Sequence, residues 1–324
     1  NEGFKTNYNP IFPLGTISNS ITVLDNENGF YPIFETDEYG FNNGKNLYLK
    51  DQVDVLITGD SFAEGTAVNQ SETVQSKLND LGFKTISLGK VSNGPLIQLA
   101  TLKEYATVLK PKTVFWFYFR NDLSDLEFEL KSNILCNYLL DNSFSQNLFD
   151  KQEVVDSVLT VYLNEEWNEI SGEMSNSISW LSLRILNPLF LTQLRSRFTL
   201  INNLINDYDP NNNPEFKNYN NPAYEDILAS AKNTVAKWGG KLFFVYLPSY
   251  EEVKSKKEHP RKKYIIDLVS KKNIQLIDFY DQGLEKMVDP LSCFPFPKGF
   301  HYNAKGYLEL AKLLESNIAS HNFE

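Results

Sequence analysis

Val53-Asp54-Val55-Leu56-Ile57-Thr58-Gly59-Asp60-Ser61-Phe62 is the stretch on which the reading of this chain turns. Its first six residues are mostly β-branched or apolar with a single charge, the composition of a short buried strand. The strand runs directly into Gly59, so Ser61 stands on a sharp turn at a strand's carboxyl end. In open parallel sheets functional groups gather at that end. Downstream the pattern repeats. The spacing predicts a helix over 71–81, with Ser71 as its N-cap and Gly82 just past its end. A strand over 85–88, a loop holding Gly89, Asn93, Gly94 and Pro95, and a helix over 96–109 follow. Pro111 then leads into Thr113-Val114-Phe115-Trp116-Phe117-Tyr118-Phe119, an uncharged run suited to a central strand covered on both faces. Strands alternating with helices predict a parallel sheet with helices on its faces.

Outward from this block the pattern lapses between 123 and 222. There charged and Asn-rich pieces flank an amphipathic stretch from Trp180 to Ile205, interrupted at Pro188, and the tract Asp209-Pro210-Asn211-Asn212-Asn213-Pro214 reads as loop. The alternation resumes with a helix over 224–238, a strand over 241–247, a helix over 262–271, a strand over 274–279 and a last amphipathic helix over 304–318 capped by Asn303. Residues 1–50, punctuated by Asn26, Asn28, Gly29, Asp37, Gly40 and Gly44, form a hairpin or loop-rich lead-in. The expected architecture is a three-layer α/β/α sandwich around about five parallel strands. Residues 51–122 and 223–324 make the α/β domain, and 123–222 are a mainly helical insertion, a possible lid.

The chain has 324 residues, 42% hydrophobic and 22% charged, which suits a folded globular protein. Its 31 basic residues against 41 acidic ones, a net charge of −10, argue against nucleic acid as a partner, because phosphate binding needs a basic face. Two cysteines, Cys136 and Cys293, exclude a disulfide framework and any CxxC metal or redox site. No apolar stretch approaches the ~18–20 residues that span a bilayer. The sequence opens Asn1-Glu2-Gly3, so a removed leader or anchor stays open, as does membrane contact through the insertion; an extracytoplasmic compartment is favoured over the cytoplasm. No GxGxxG fingerprint occurs, Gly40 to Lys45 departs from a phosphate loop in spacing, and no cofactor or metal is expected. Ala63 stands where an α/β-hydrolase elbow requires glycine.

Four segments therefore project from one rim of the expected sheet: Ser61, the amide-rich 89–95 loop, Asn121-Asp122, and His301 at the start of the last helix. Acyl transfer needs such a set, a nucleophile, a base and donors for a developing oxyanion. In these segments and their order the chain resembles the GDSL-type, or SGNH, hydrolase superfamily, over about half its length. The resemblance implies a flavodoxin-like strand order, Ser61 as nucleophile and first oxyanion donor, a backbone N–H from Ser92 or Gly94, Asn121 as side-chain donor, and His301 as general base. It also implies a small-molecule or glycan ester as substrate, such as an O-acylated carbohydrate. Two positions depart from the family pattern. Phe119 replaces the glycine two residues before the Asn, and Lys298 replaces the Asp three residues before the His. Asp289 and Asp278 are the candidate orienting acids, with a backbone carbonyl or a Ser–His dyad as alternatives, and Lys298 suggests an acidic ligand. Asp60 reads as a turn-holding residue; Asp122, Asp125, Glu127 and Glu129 read as helix-start acids or a solvated face. The expectation is ester hydrolysis through an acyl-enzyme. Acyl transfer to a sugar hydroxyl with the same residues, or a non-catalytic binding module on a degenerate hydrolase fold, are the alternatives.

Overall fold

The computed structural model describes residues 11–50, 52–177, 221–295 and 300–321. A small antiparallel pair comes first, β1 (Ile21–Val23) against β2 (Ile33–Glu35). The central sheet follows as β3 (Val55–Thr58), β4 (Thr85–Ser87), β5 (Thr113–Tyr118), β6 (Lys241–Tyr246) and β7 (Gln275–Asp278). All of its pairings are parallel, in the order β4-β3-β5-β6-β7. That is a flavodoxin-like order, with its switch point between β3 and β5, where functional groups at the carboxyl ends of the strands meet.

Every residue of β3 and β5 is buried, which is why their sequences lack the polar alternation of a one-sided strand. Alternate side chains divide between two helical layers. Val55, Ile57, Phe115, Phe117, Phe243, Val245 and Ile277 share one core with α2 (Val74–Asp80) and α11 (Ala304–His321). The opposite layer contains α3 (Pro95–Thr101), prolonged by a π-helical turn (Leu102–Ala106) and a last α turn (Thr107–Leu109). Against α3 pack α4 (Asp122–Glu129), α5 (Asn133–Leu140) and α7 (Pro222–Ala236). The remaining helices are α1 (Ser61–Glu64), α6 (Gln152–Ser177), α8 (Tyr250–Ser255), α9 (Lys262–Lys271) and α10 (Phe279–Gln282).

The chain forms two compact units, Asn1–Asp156 with Asn221–Glu324, and Ser157–Asn220. The first boundary falls later than residue 122 because the following segment has its own ties to the core. Leu126, Leu135, Tyr138 and Leu148 are buried. Glu104, buried in the π turn, accepts hydrogen bonds from the Gln146 and Leu148 amides and the Tyr138 hydroxyl at 2.5–2.7 Å. In the second unit the described residues are helical to Ser177; the amphipathic Trp180–Ile205 stretch and the 209–214 tract lie outside the described residues. Among the described residues no helix is long and apolar enough to cross a membrane.

Candidate active site

Ser61 owes its position to the end of β3. The turn after Thr58 packs so closely that a Cβ on Gly59 would lie 2.8 Å from Phe117 Cβ and 2.9 Å from Ala63 Cβ, hence the glycine. Asp60 caps α1 by accepting from the Phe62 amide at 3.0 Å, as its turn-holding reading requires. Burial pushes its carboxyl above the ordinary range. Ser61 is the first residue of α1 and is 8% exposed; among the described residues its own N–H makes no hydrogen bond.

His301, 6% exposed, reaches Ser61 from the opposite end of the sequence, its Nε2 lying 2.7 Å from Ser61 Oγ. Its segment is pinned on both sides. Asn303 donates through Nδ2 to the Ser292 and Phe294 carbonyls and caps α11 by accepting from the Gly306 amide; the Tyr302 hydroxyl donates to the Pro248 carbonyl at 2.8 Å.

The other imidazole nitrogen faces a residue that no sequence motif marked. Glu27 Oε1 lies 2.8 Å from His301 Nδ1, while Glu27 Oε2 accepts from the backbone amides of His301 at 3.0 Å and Phe300 at 3.2 Å. Burial raises the Glu27 pKa, but the contacts with His301 and Phe300 outweigh it and hold the carboxyl below its ordinary value. A carboxylate accepts only, so the Nδ1 proton faces Glu27 and Nε2 is left as an acceptor toward the Ser61 hydroxyl. This corrects the two acids expected to orient His301. Asp278 caps α10 through the Tyr280 and Asp281 amides and is ion-paired to Lys262 at 2.8 Å. Asp289 precedes a 3-10 turn (Pro290–Cys293). Both positions are close to His301 in sequence, yet Asp278 is committed to α10 and Lys262, and Asp289 joins its turn through its backbone carbonyl, which accepts from the Ser292 hydroxyl. Lys298 lies outside the described residues.

The hairpin that delivers Glu27 is anchored by polar side chains. β1 and β2 pair Ile21 with Glu35 and Val23 with Ile33, and the Leu24 amide bonds to the Pro32 carbonyl at 2.9 Å, closing the loop that carries Glu27. Just after β2, Asp37 accepts from the Tyr39 and Phe41 amides, the Asn43 amide and the Tyr48 hydroxyl. Asn43 then behaves like one more residue of strand beside β4, the sheet's edge. Its Oδ1 accepts from the Ser87 amide and its Nδ2 donates to the Ser87 carbonyl, both at 2.8 Å. Asn42 adds a bond to the Glu64 carbonyl in α1 at 2.8 Å.

The expected oxyanion donors are placed unequally. Ser92 holds a left-handed φ of +67°, a conformation that favours glycine, and among the described residues its N–H makes no hydrogen bond. Gly94 is different: its amide faces the Glu129 carboxylate, which also caps α3 through the Leu96 amide at 2.8 Å and the Ile97 amide at 3.3 Å. A Cβ at Gly94 would meet Asp125 and Glu129 at 2.8 Å, so close packing accounts for that glycine. Asn121 donates through Nδ2 to Asp125 Oδ2 at 2.7 Å, and its side chain also bonds the Asp60 carboxyl, favouring that group's ionised form against burial. The acids around it are not on a solvated face: Asp122 is fully buried and Glu129 is 6% exposed. Burial, followed by the Asp60 charge, lifts Asp125 to about 7, and burial lifts Glu129 to about 8. Phe119, where the family pattern has glycine, is buried against Phe62 with centroids 4.4 Å apart, and Phe62 lies 4.8 Å from the His301 ring.

No protein-family model and no curated protein matches the chain. Solved structures do. A putative acylhydrolase from Bacteroides fragilis is 13% identical, with a TM-score of 0.42 over 84% of this chain and 89% of that one. A GDSL-like lipase from Bacteroides thetaiotaomicron is 13% identical, with a TM-score of 0.42 over 84% and 90%. A two-domain esterase active on acetylated mannans is 9% identical, with a TM-score of 0.43 over 84% of this chain and 50% of that one. At these values the chemical reading rests on the distances within the site. By its own sheet order and the placement of its landmark segments, the chain resembles the GDSL-type, or SGNH, hydrolase superfamily.

Proposed function

We propose that the chain is a serine ester hydrolase working through an acyl-enzyme on Ser61. The observation that carries this reading is the relay from Ser61 Oγ to His301 Nε2 at 2.7 Å and from His301 Nδ1 to Glu27 Oε1 at 2.8 Å. Ser61 Oγ attacks the ester carbonyl while Nε2 takes its proton; Glu27 fixes the tautomer and stabilises the imidazolium that forms. The uncommitted N–H groups of Ser61 and Ser92 are the backbone donors for the oxyanion, and the Asn121 amide, held between Asp125 and Asp60, is the side-chain donor that turns to it when substrate binds. Collapse of the tetrahedral intermediate breaks the bond to the alcohol, which leaves with the proton from Nε2. Water, deprotonated by the same nitrogen, then releases the acid and restores Ser61. A hydroxyl–imidazole distance this short supports catalysis over the binding-module alternative. An O-acylated carbohydrate is the substrate class that the resemblance implies.

The test is turnover of 4-nitrophenyl acetate together with labelling by a fluorophosphonate. Wild-type protein is expected to hydrolyse the ester and take up one label per chain on Ser61. Ser61→Ala is expected to lose both, a fall of about 10⁵–10⁶ in kcat. Unchanged turnover in Ser61→Ala would remove it as nucleophile.

A further inference from the structure

Arg120 lies between Phe119 and Asn121, at the rim of the same site. Its guanidinium carbon is 5.8 Å from the ring centroids of both Phe119 and Phe300. Those rings meet edge to face at 5.3 Å, and Phe300 lies 5.0 Å from the His301 ring. The guanidinium is thus held by two aromatic rings, one of them in direct contact with the imidazole. Among the described residues it donates no hydrogen bond. Its ionic neighbour is Glu251, 3.9 Å away and itself 54% exposed, and the arginine side chain remains 25% exposed.

An arginine that merely covers apolar surface extends its head into water or toward a close acceptor. This one stands against two aromatic rings beside His301, with its ionic neighbour Glu251 beyond hydrogen-bond length. A planar fork of five donors matches carboxylate and phosphate oxygens in a bidentate arrangement. The chain's net charge of −10 repels anions at long range, so an anionic substrate needs a local cation of this kind. We propose that Arg120 is a specificity-determining residue that binds an oxyanion of the substrate, so that the preferred ester is acidic, bearing a carboxylate or phosphate near the scissile bond. The proposal rests on the reading of Ser61 as nucleophile and names the class of ester that the site prefers. Phe119 acquires a reason in this arrangement: it is one of the two rings beside the guanidinium.

The test compares kcat/KM for matched neutral and anionic esters in wild type, Arg120→Gln and Arg120→Lys. One pair, 4-nitrophenyl acetate and 4-nitrophenyl hemisuccinate, puts the charge on the acyl side. The other, O-acetylated methyl glucoside and O-acetylated glucuronate, puts it on the alcohol side. In at least one pair wild type is expected to favour the anion about tenfold or more, chiefly through KM, with the preference shrinking in high salt. Arg120→Gln should bring that ratio close to one, and Arg120→Lys should keep part of it. A wild-type ratio near one in both pairs, or a preference unchanged in Arg120→Gln, overturns the proposal. If wild type turns over no ester, the hydrolase reading is what fails. Calorimetric binding of glucuronate and of succinate to Ser61→Ala, with and without Arg120→Gln, then still decides the anion site. Loss of binding with Arg120→Gln supports it, and equal or absent binding refutes it.

Discussion

Ser61 approaches one nitrogen of His301 from the end of β3, a strand buried on both faces, whereas Glu27 approaches the other from a loop between two three-residue strands. The first side is fixed by the hydrophobic core, since Val55, Leu56 and Ile57 are fully buried and the turn beyond them admits only glycine at position 59. The second side has little core of its own. Ile21 is 77% exposed and Ile33 60%; Leu24 and Phe34 are the buried apolar anchors of the pair. The hairpin is held instead by hydrogen bonds, through Asp37, Asn42 and Asn43. One imidazole is therefore approached by two unlike devices: a rigid one that carries Ser61, and a polar clamp that carries Glu27. Apolar burial of a strand is distributed over many contacts, whereas a clamp concentrates its stability in a few buried polar groups that are costly to leave unpaired.

The largest effect that tests this division is expected at Glu27. If its carboxylate sets the tautomer, Glu27→Gln and Glu27→Ala should lower kcat by about 10³–10⁴ with KM little changed, because the wrong imidazole tautomer cannot accept the Ser61 proton. Glu27→Asp should recover part of the loss. The melting temperature separates this from unfolding, since Glu27→Gln keeps the side chain's shape and acceptor oxygen toward the Phe300 and His301 amides. Activity within tenfold of wild type in Glu27→Ala would reduce the relay to a Ser–His dyad and leave the hairpin without a catalytic part.

Smaller effects sharpen the contrast between core and clamp. Asn121→Ala on the sheet side should lower kcat by about 10²–10³, the usual cost of one oxyanion donor. Asn43→Ala, on the clamp side, removes one of the donors to Asp37 and leaves the Ser87 amide without its partner, and should cost about 1–3 kcal/mol. The expected signature is faster amide exchange over residues 20–36 and a fall in kcat smaller than that of Glu27→Ala, with exchange in β5 unchanged. Equal acceleration in β5 and in the hairpin would mean that the two regions unfold as one.

What could be read from the sequence follows the same line. The strands, the serine turn and the histidine were legible because each is bound to a local pattern, an apolar run, a glycine at a close approach or a cap at a helix start. Ser71 was a misplaced cap by two residues: Thr73 takes that role, accepting from the Ser76 amide at 3.2 Å, because a 3-10 turn over Gln70–Glu72 precedes the helix. Glu27 was illegible. It sits among Asp25, Asn26, Asn28 and Gly29, ordinary loop residues, and its partner lies 274 positions away. An acid expected shortly before His301 points to Asp289 and Asp278, on the wrong side of the chain from Glu27. The one signal available was the set of polar residues after the hairpin, Asp37, Asn42 and Asn43, more than a solvated loop needs. Asp122 and Asp125 do start α4, but a solvated face does not follow, because an acidic helix start looks the same whether it faces water or a neighbouring helix; here Glu129 caps α3.

The mildest test concerns those acids, which lie beneath Asn121. Asp125 holds its proton to about pH 7 in the folded chain, because burial and the nearby Asp60 charge disfavour the carboxylate, against an ordinary value of 3.8. Between those two pH values the folded state binds more protons than the unfolded one, so its stability falls as pH rises through the window. The Asn121 hydrogen bond opposes the shift, since it favours the ionised form, but it does not cancel it. Wild type should melt a few degrees lower at pH 8 than at pH 5.5, at about 2–4 °C for each kcal/mol. Asp125→Asn keeps the shape and removes this titration, so its melting temperature should vary less over the same range. The Glu27 carboxyl, held below its ordinary 4.5, works in the opposite sense: its contribution is present above that value and is lost as pH falls below it. Acidification should therefore loosen the hairpin at a pH where the α4 acids are all protonated and the sheet side is at its most stable. A melting curve as steep in pH for Asp125→Asn as for wild type would place the titrating group elsewhere in the cluster, at Glu129 or Asp122, and would leave Asn121 held by a carboxylate that is already ionised at neutral pH.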